Sequence, residues 1–184
     1  MFKYFFLLSI FSSSLYAGTF IIKPHFGHTV TSEMKSNLFK KNKTNIQGIT
    51  AGLKIAYRHE YLFYGVDLES SNFRVMSIDE TDGFSSKKFS FLSGVSFNPH
   101  EVFGKVTAFG SANINNEGIF NDVVGFEVGY SYKVMVKDVP KLSLFCTYST
   151  IGWSGYDTKT SGSDKTMDIS RVHFGIGLPF EIKY

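Results

Sequence analysis

Polar and apolar residues alternate with a period of two along most of this chain, most cleanly over its last thirteen residues, 172–184. Every even position there is apolar: Val172, Phe174, Ile176, Leu178, Phe180, Ile182 and Tyr184. The odd positions are small, polar or proline: His173, Gly175, Gly177, Pro179, Glu181 and Lys183. Side chains alternate across a strand, so this spacing predicts a strand with one apolar and one wet face. A strand that spans a bilayer needs about 9–11 residues, with apolar side chains outward and aromatics at the interface. The stretch meets each condition, and it ends on an aromatic.

The same rhythm predicts seven earlier strands, over 19–28, 46–58, 61–72, 87–97, 102–113, 123–135 and 141–152. In the first, Phe20, Ile22, Pro24 and Phe26 share a face opposite Lys23 and His25. In the second, Ile49, Ala51, Leu53, Ile55 and Tyr57 oppose Thr50, Lys54 and Arg58, and in the third Leu62, Tyr64, Val66 and Leu68 oppose Asp67 and Glu69. The fourth turns Phe89, Phe91, Val95 and Phe97 outward. The fifth is ambiguous: Val102, Gly104, Val106, Ala108 and Gly110 form one face, and Phe103, Lys105, Thr107, Phe109 and Ser111 the other, which is placed inward because of Lys105 and Thr107. In the sixth, Val124, Phe126, Val128, Tyr130, Tyr132 and Val134 oppose Glu127, Ser131 and Lys133. The seventh turns Leu142, Leu144, Cys146 and Tyr148 outward.

Eight strands joined by alternating long polar stretches and tight turns predict an all-β fold, an eight-stranded antiparallel up-and-down transmembrane β-barrel. Barrels of the outer membrane have an even strand number, short periplasmic turns and longer outward loops. An even number returns both termini to the periplasmic side. A soluble lipocalin- or streptavidin-type barrel is the alternative, and it would be apolar inside and charged outside.

The start of the chain bears on which membrane. Lys3, the apolar run 5–11 and the small residues before Gly18 carry the marks of a secretory signal peptide with cleavage after Ala17. That leaves residues 18–184 as a single outer-membrane barrel domain, expected as a monomer in a Gram-negative envelope. Aromatics make up 17% of the chain, with 20 Phe and 10 Tyr, while mean hydropathy is only −0.02. A barrel reconciles the two, because its apolar residues are spread over alternate positions. The lone Cys146 excludes an intramolecular disulfide and reads as a small apolar residue on a strand face. A formal charge of +3 is too mild to argue for nucleic acid as a partner.

On these residues the chain resembles the small eight-stranded outer-membrane barrels, the OmpA/OmpX-type superfamily. The resemblance spans 18–184 and rests on the leader, the hairpin rhythm and the closing strand. It implies that Leu178, Phe180, Ile182 and Tyr184 form the signal read by the barrel-assembly machinery, although phenylalanine is the more usual last residue. It also implies outer-membrane lipids and lipopolysaccharide as surroundings, with any surface partner undefined.

Several groups are candidates for chemistry. The inward set contains Lys54, Arg58, Asp67, Glu69, Lys105, Glu127, Lys133, Arg171 and His173, together with Lys23, His25, Glu181 and Lys183. Eight strands leave an interior just wide enough for side chains, and buried charges are tolerated only when paired. The expected arrangement is a salt-bridged plug, with a narrow ion path as the alternative. Lys35, Lys40, Lys41 and Lys43, placed in the first loop, are candidates for lipopolysaccharide phosphates. No histidine reproduces the His-x-Ser pair of lipid A-trimming barrels, and His28 with Asp157 or Asp164 is the nearest approach to a loop triad. The five histidines lack metal-ligand spacing, and no cofactor is expected. Where strands one and eight meet, Pro24 and Pro179 should lie at similar heights. Each lacks an N–H for the ladder, so the seam is either locally bulged or arranged with the missing donors at unpaired positions.

Two functions remain. One is a non-enzymatic outer-membrane protein with a structural or surface-interaction role carried by its outer loops. The other is an OmpW-like narrow channel that passes small hydrophobic molecules laterally into the membrane.

Overall fold

The computed structural model describes residues 18–36, 43–76, 83–114, 118–137, 139–157 and 165–183. Its elements are β1 (Thr19–Ser36), β2 (Lys43–Thr44), β3 (Ile46–His59), β4 (Leu62–Val75), β5 (Gly83–Phe97), β6 (His100–Ile114), β7 (Gly118–Val136), β8 (Val139–Asp157), β9 (Met167–Gly177) and β10 (Phe180–Lys183). β2 is a two-residue stub on β1, and β9 and β10 are two parts of one strand interrupted at Leu178-Pro179. That leaves eight antiparallel strands, each paired with its neighbour in sequence, and β1 closes the ring against β9 and β10. Two-residue connections join β3 to β4, β5 to β6 and β7 to β8 at the end that carries the termini. Glu60 and Lys137 take positive φ values of 53° and 49° there, as tight hairpins demand.

The faces are those of a transmembrane barrel, not of a soluble one. Val124 is 77% exposed and Phe109 66%, whereas Arg171 and Asp67 inside are 1% exposed. The outward apolar belt runs from Leu62 to Leu68 on β4, from Phe97 to Phe89 on β5 and from Tyr132 to Val124 on β7. Near the terminal rim Tyr61 stacks on Phe97, and His100 packs against Tyr130 and Tyr132. These rings occupy the place of an interfacial aromatic girdle. Cys146 lies half-buried on the outward face of β8.

The strands overrun their predicted limits, mostly at the loop end. β1 continues to Ser36 because a bulge between Thr29 and Thr31 shifts the register against β9. The extra residue resets the phase, so Ser32, Met34 and Ser36 face inward where strict alternation from Thr19 would turn them out. β4 reaches Val75, β5 starts at Gly83, β7 starts at Gly118 and β8 ends at Asp157. β9 begins at Met167, five residues before the alternating run at Val172. A second bulge, between Phe89 and Ser90 in the register with β6, makes Ala108 the extra residue. Phe109 therefore points to lipid instead of sharing the inner face of Phe103, Lys105 and Thr107.

The interior is layered. At the loop end Met34, Ile46, Phe73, Phe84, Phe120, Trp153, Tyr156 and Met167 belong to an apolar cluster. At the terminal end Ile21, Ala56, Phe63, Leu92 and Phe103 form a smaller one. Charged and hydroxyl side chains fill the space between and, on the side of the barrel away from the smaller cluster, continue to the terminal end.

Candidate functional site: a charged lumen

The ladder registers bring the inward charges together. Glu69 lies opposite Lys88 across β4–β5, and Lys105 opposite Glu127 across β6–β7. Cross-strand pairs on one face stand close enough for charged ends to meet. Lys105 is the hub: its Nζ is 2.6 Å from Asp67, 3.0 Å from Glu69 and 2.7 Å from Glu127. Glu69 also meets Lys88 at 2.6 Å and Arg171 at 3.5 Å. Arg171 donates to the hydroxyls of Ser149 at 3.2 Å and Thr50 at 3.3 Å, so its guanidinium is tied to three strands. His25 Nε2 lies 2.9 Å from Asp67 Oδ1.

A second group sits toward the terminal end. Glu101 lies between Lys23 at 3.0 Å and Lys133 at 2.9 Å. Lys133 continues to Glu181 at 3.1 Å, and Arg58 grips that same carboxylate with two nitrogens at 3.1 and 2.8 Å. Planar guanidinium and carboxylate fit two parallel hydrogen bonds, and the pair ties β10 to β3. Hydroxyl pairs fill the gaps, with Thr50 to Ser71 at 2.8 Å and Ser90 to Thr107 at 3.0 Å.

All nine lumen residues singled out in the sequence thus face inward. His173 packs edge-on to Phe145 at 5.4 Å beside the network, and Lys54 rests on the Phe103 ring, 4.2 Å from its centroid. Lys183, assigned inward, is exposed at the rim. Lys88 and Glu101 were missed. Lys88 follows from alternation with Phe89 and Phe91, and Glu101 is hidden because residues 98–101 read as a turn, whereas the strand begins at His100.

The other candidates fall elsewhere. Lys35 and Lys43 are on strands and not in a loop; they face each other in register, and Lys35 meets Glu33 at 3.6 Å. Lys40, Lys41, Asp164, Tyr184 and residues 1–17, expected to be a signal peptide, lie outside the described residues. His28 pairs with Phe174, which pairs with Cys146, eleven positions along β8 from Asp157. That is about 36 Å of strand, so no triad joins His28 to Asp157. His25, Asp67 and Glu69 bring three ligand-type atoms within 4.8 Å of one another. Lys105, Lys88 and Arg171 already neutralise those carboxylates, which leaves the cluster little attraction for a cation. The seam prolines stand one register step apart. His25 pairs with Gly177 and Ile22 with Phe180, which sets Pro24 opposite Leu178. Leu178 N–H donates to the Pro24 carbonyl at 2.9 Å, and Pro24 has no N–H to return.

A closed ring of eight strands with lipid-facing apolar residues and a polar lumen is the fold of the small eight-stranded outer-membrane β-barrels. Among solved structures it is similar to Neisserial surface protein A, with a TM-score of 0.57 at 13% identity, covering 88% of this chain and 97% of that one. Ail, the attachment invasion locus protein of Yersinia pestis, gives a TM-score of 0.46 at 15% identity over 89% of this chain and 99% of Ail. OprG from Pseudomonas aeruginosa gives 0.39 at 14% identity over 89% and 96%. No protein-family model matches the chain, and no curated protein matches it.

Proposed function

We propose that this is a non-enzymatic protein of the outer membrane whose lumen is closed by ion pairs and whose structural or surface-interaction role is carried by its outer loops. Residues 1–17 direct export and are removed. Both termini then lie on the periplasmic side, with the two-residue turns. The observation that supports this reading is the ion-pair chain that runs from Arg58 and Glu181 through Lys133, Glu101 and Lys23, with a second chain centred on Lys105 beside it. Together they cross the lumen; the larger apolar cluster lies on their loop side, and the smaller one stands beside the Arg58–Glu181 chain at its own height. An ion entering would have to displace paired charges from one another, which costs several kcal/mol. Refolded protein in planar bilayers should therefore give closed traces. Steady openings at moderate voltage would overturn the closed lumen.

The second reading, lateral passage of a small hydrophobic molecule, has one observation in its favour, the apolar lining of the loop end. Its route would run through the seam. Leu178 directs its N–H to β1, so by strand alternation Pro179 faces β8, where the ladder has already ended at Ser143–Gly177. Only Pro24 removes a seam bond. Pro24→Val should slow hydrogen exchange at the amides flanking the seam, and Pro179→Val should leave it unchanged. If neither variant changes exchange, the seam is not weakened by proline and this route loses its support.

For the surface, Lys35 and Lys43 stand where the barrel leaves the belt, and with Lys40 and Lys41 they are the proposed contacts for lipopolysaccharide phosphates.

A further inference from the structure

Charge is unevenly shared along the lumen. Toward the loops three cations, Lys88, Lys105 and Arg171, meet three carboxylates, Asp67, Glu69 and Glu127. From the row of Lys54 to the termini four cations, Lys23, Lys54, Arg58 and Lys133, stand against Glu101 and Glu181, while Asp67, level with Lys54 across β3–β4, is engaged by Lys105 and His25. The surplus centres on Lys54, which is 4% exposed and has no ion pair among the described residues. Its ladder neighbours explain why. On one side stands Lys23, a like charge directly opposite, and on the other Asp67. Asp67 is turned away, held by Lys105 at 2.6 Å and His25 at 2.9 Å. The Lys54 ammonium is left over the rings of Phe103 and Phe63, at 4.2 and 5.4 Å.

Lys54 lines a cavity with Lys23, His25, Asp67, Lys105 and aromatic side chains, with room for about one water-sized particle. Three ammonium groups face this space against one carboxylate whose charge is already engaged. Lys23 is partly offset by Glu101 at 3.0 Å, and Lys54 by nothing in contact with it. A buried charge without a counter-charge is among the costliest features a fold can carry. A water would solvate the ammonium without neutralising it. A halide is somewhat wider than a water, so its entry asks the flexible lysine stems lining the space to yield by a fraction of an ångström, whereas sulfate or phosphate would ask far more.

We propose that this cavity is a binding site for a small monovalent anion of the halide class, held between Lys54 and Lys23. The anion supplies the counter-charge that the terminal half of the lumen lacks, and it makes the stability of the barrel depend on which anion is in the buffer. The proposal adds an occupant to the closed lumen and rests on that reading.

The test uses the refolded full-length barrel in detergent at constant ionic strength, with sodium chloride, sodium bromide or sodium gluconate. Chloride and bromide should raise Tm over gluconate, by roughly 3–5 °C for each tenfold rise in halide above its dissociation constant. Lys54→Met should abolish the difference between anions. Crystals of the unmutated protein grown in bromide should show an anomalous peak beside Lys54 Nζ, which keeps the test decisive should the variant not fold. Equal Tm in all three salts, an anion dependence unchanged in Lys54→Met, or no bromide peak at Lys54 would each overturn the site. Steady bilayer conductance would overturn the closed lumen separately, and a bromide peak would still report on the site itself.

Discussion

Replacing Lys105 with methionine is expected to destabilise the barrel by about 3–5 kcal/mol, because removing one member of a buried charge group strands the others. Its ammonium is the contact shared by Asp67, Glu69 and Glu127, at 2.6, 3.0 and 2.7 Å. Glu69 keeps Lys88 and Arg171, but Glu127 loses its only ion-pair partner among the described residues. Asp67 keeps only His25. Lys35→Met offers the comparison, since Lys35 is exposed and its 3.6 Å contact to Glu33 is a surface pair, worth no more than about 1 kcal/mol. Urea unfolding of both variants in lipid vesicles measures the two effects. Lost packing is separated from stranded charge by adding Asp67→Asn and Glu127→Gln to Lys105→Met, which should recover a large part of the loss. Equal destabilisation by Lys105→Met and Lys35→Met would mean that the lumen is solvated.

Why Lys105 could be placed inside from sequence, and Phe109 could not, is a matter of phase. Period-two alternation is local, so it holds for as long as no residue is inserted. On β3 and β4 the predicted faces agree with the observed ones from the first inward residue to the last. On β1 and β6 the bulges at Val30 and Ala108 flip everything beyond them. A bulge has no compositional mark here, because Val30 and Ala108 look like ordinary strand residues. The same limit hid the outer halves of the strands. Beyond the belt the outward face becomes polar, as at Asn72, Arg74, Ser85 and Lys87, while the inner face becomes apolar, as at Phe73, Val75 and Phe84. Contrast between faces drops across that reversal, and the segment reads as a loop. The ion pairs were a step further out of reach. Sequence identified most of the inward charges, without Lys88 and Glu101 and with Lys183 in excess, but partner choice depends on shear and on reach across the lumen, as in Lys23 to Glu101, 78 residues apart in the chain. Lys54 shows the consequence: it stands opposite Asp67 in register, yet Asp67 belongs to Lys105.

The closing strand carries the other large effect. Phe180 and Ile182 lie opposite Ile22 and Phe20, and β10 is hydrogen-bonded through its ladder to β1 alone. Phe180 is 58% exposed to the lipid side. On thermodynamics alone Phe180→Asp costs less than the roughly 2–4 kcal/mol assigned to a cation at mid-bilayer, since carboxylates cost less and the cost falls toward the interface. The inward contacts of the same strand, Glu181 with Arg58 and Lys133, are untouched by the change. Purified Phe180→Asp protein should therefore still refold into detergent micelles. In cells, if Leu178, Phe180, Ile182 and Tyr184 are what the assembly machinery reads, a carboxylate in their midst should block insertion. The variant should be exported and processed, then accumulate unfolded in the periplasm, and deletion of Tyr184 should act in the same direction. Heat-modifiable migration on gels separates folded from unfolded barrel in each fraction. Refolding in micelles with loss from outer membranes supports a recognition role. Normal heat-modifiable Phe180→Asp protein in outer membranes would show that this strand is only the last piece of the wall.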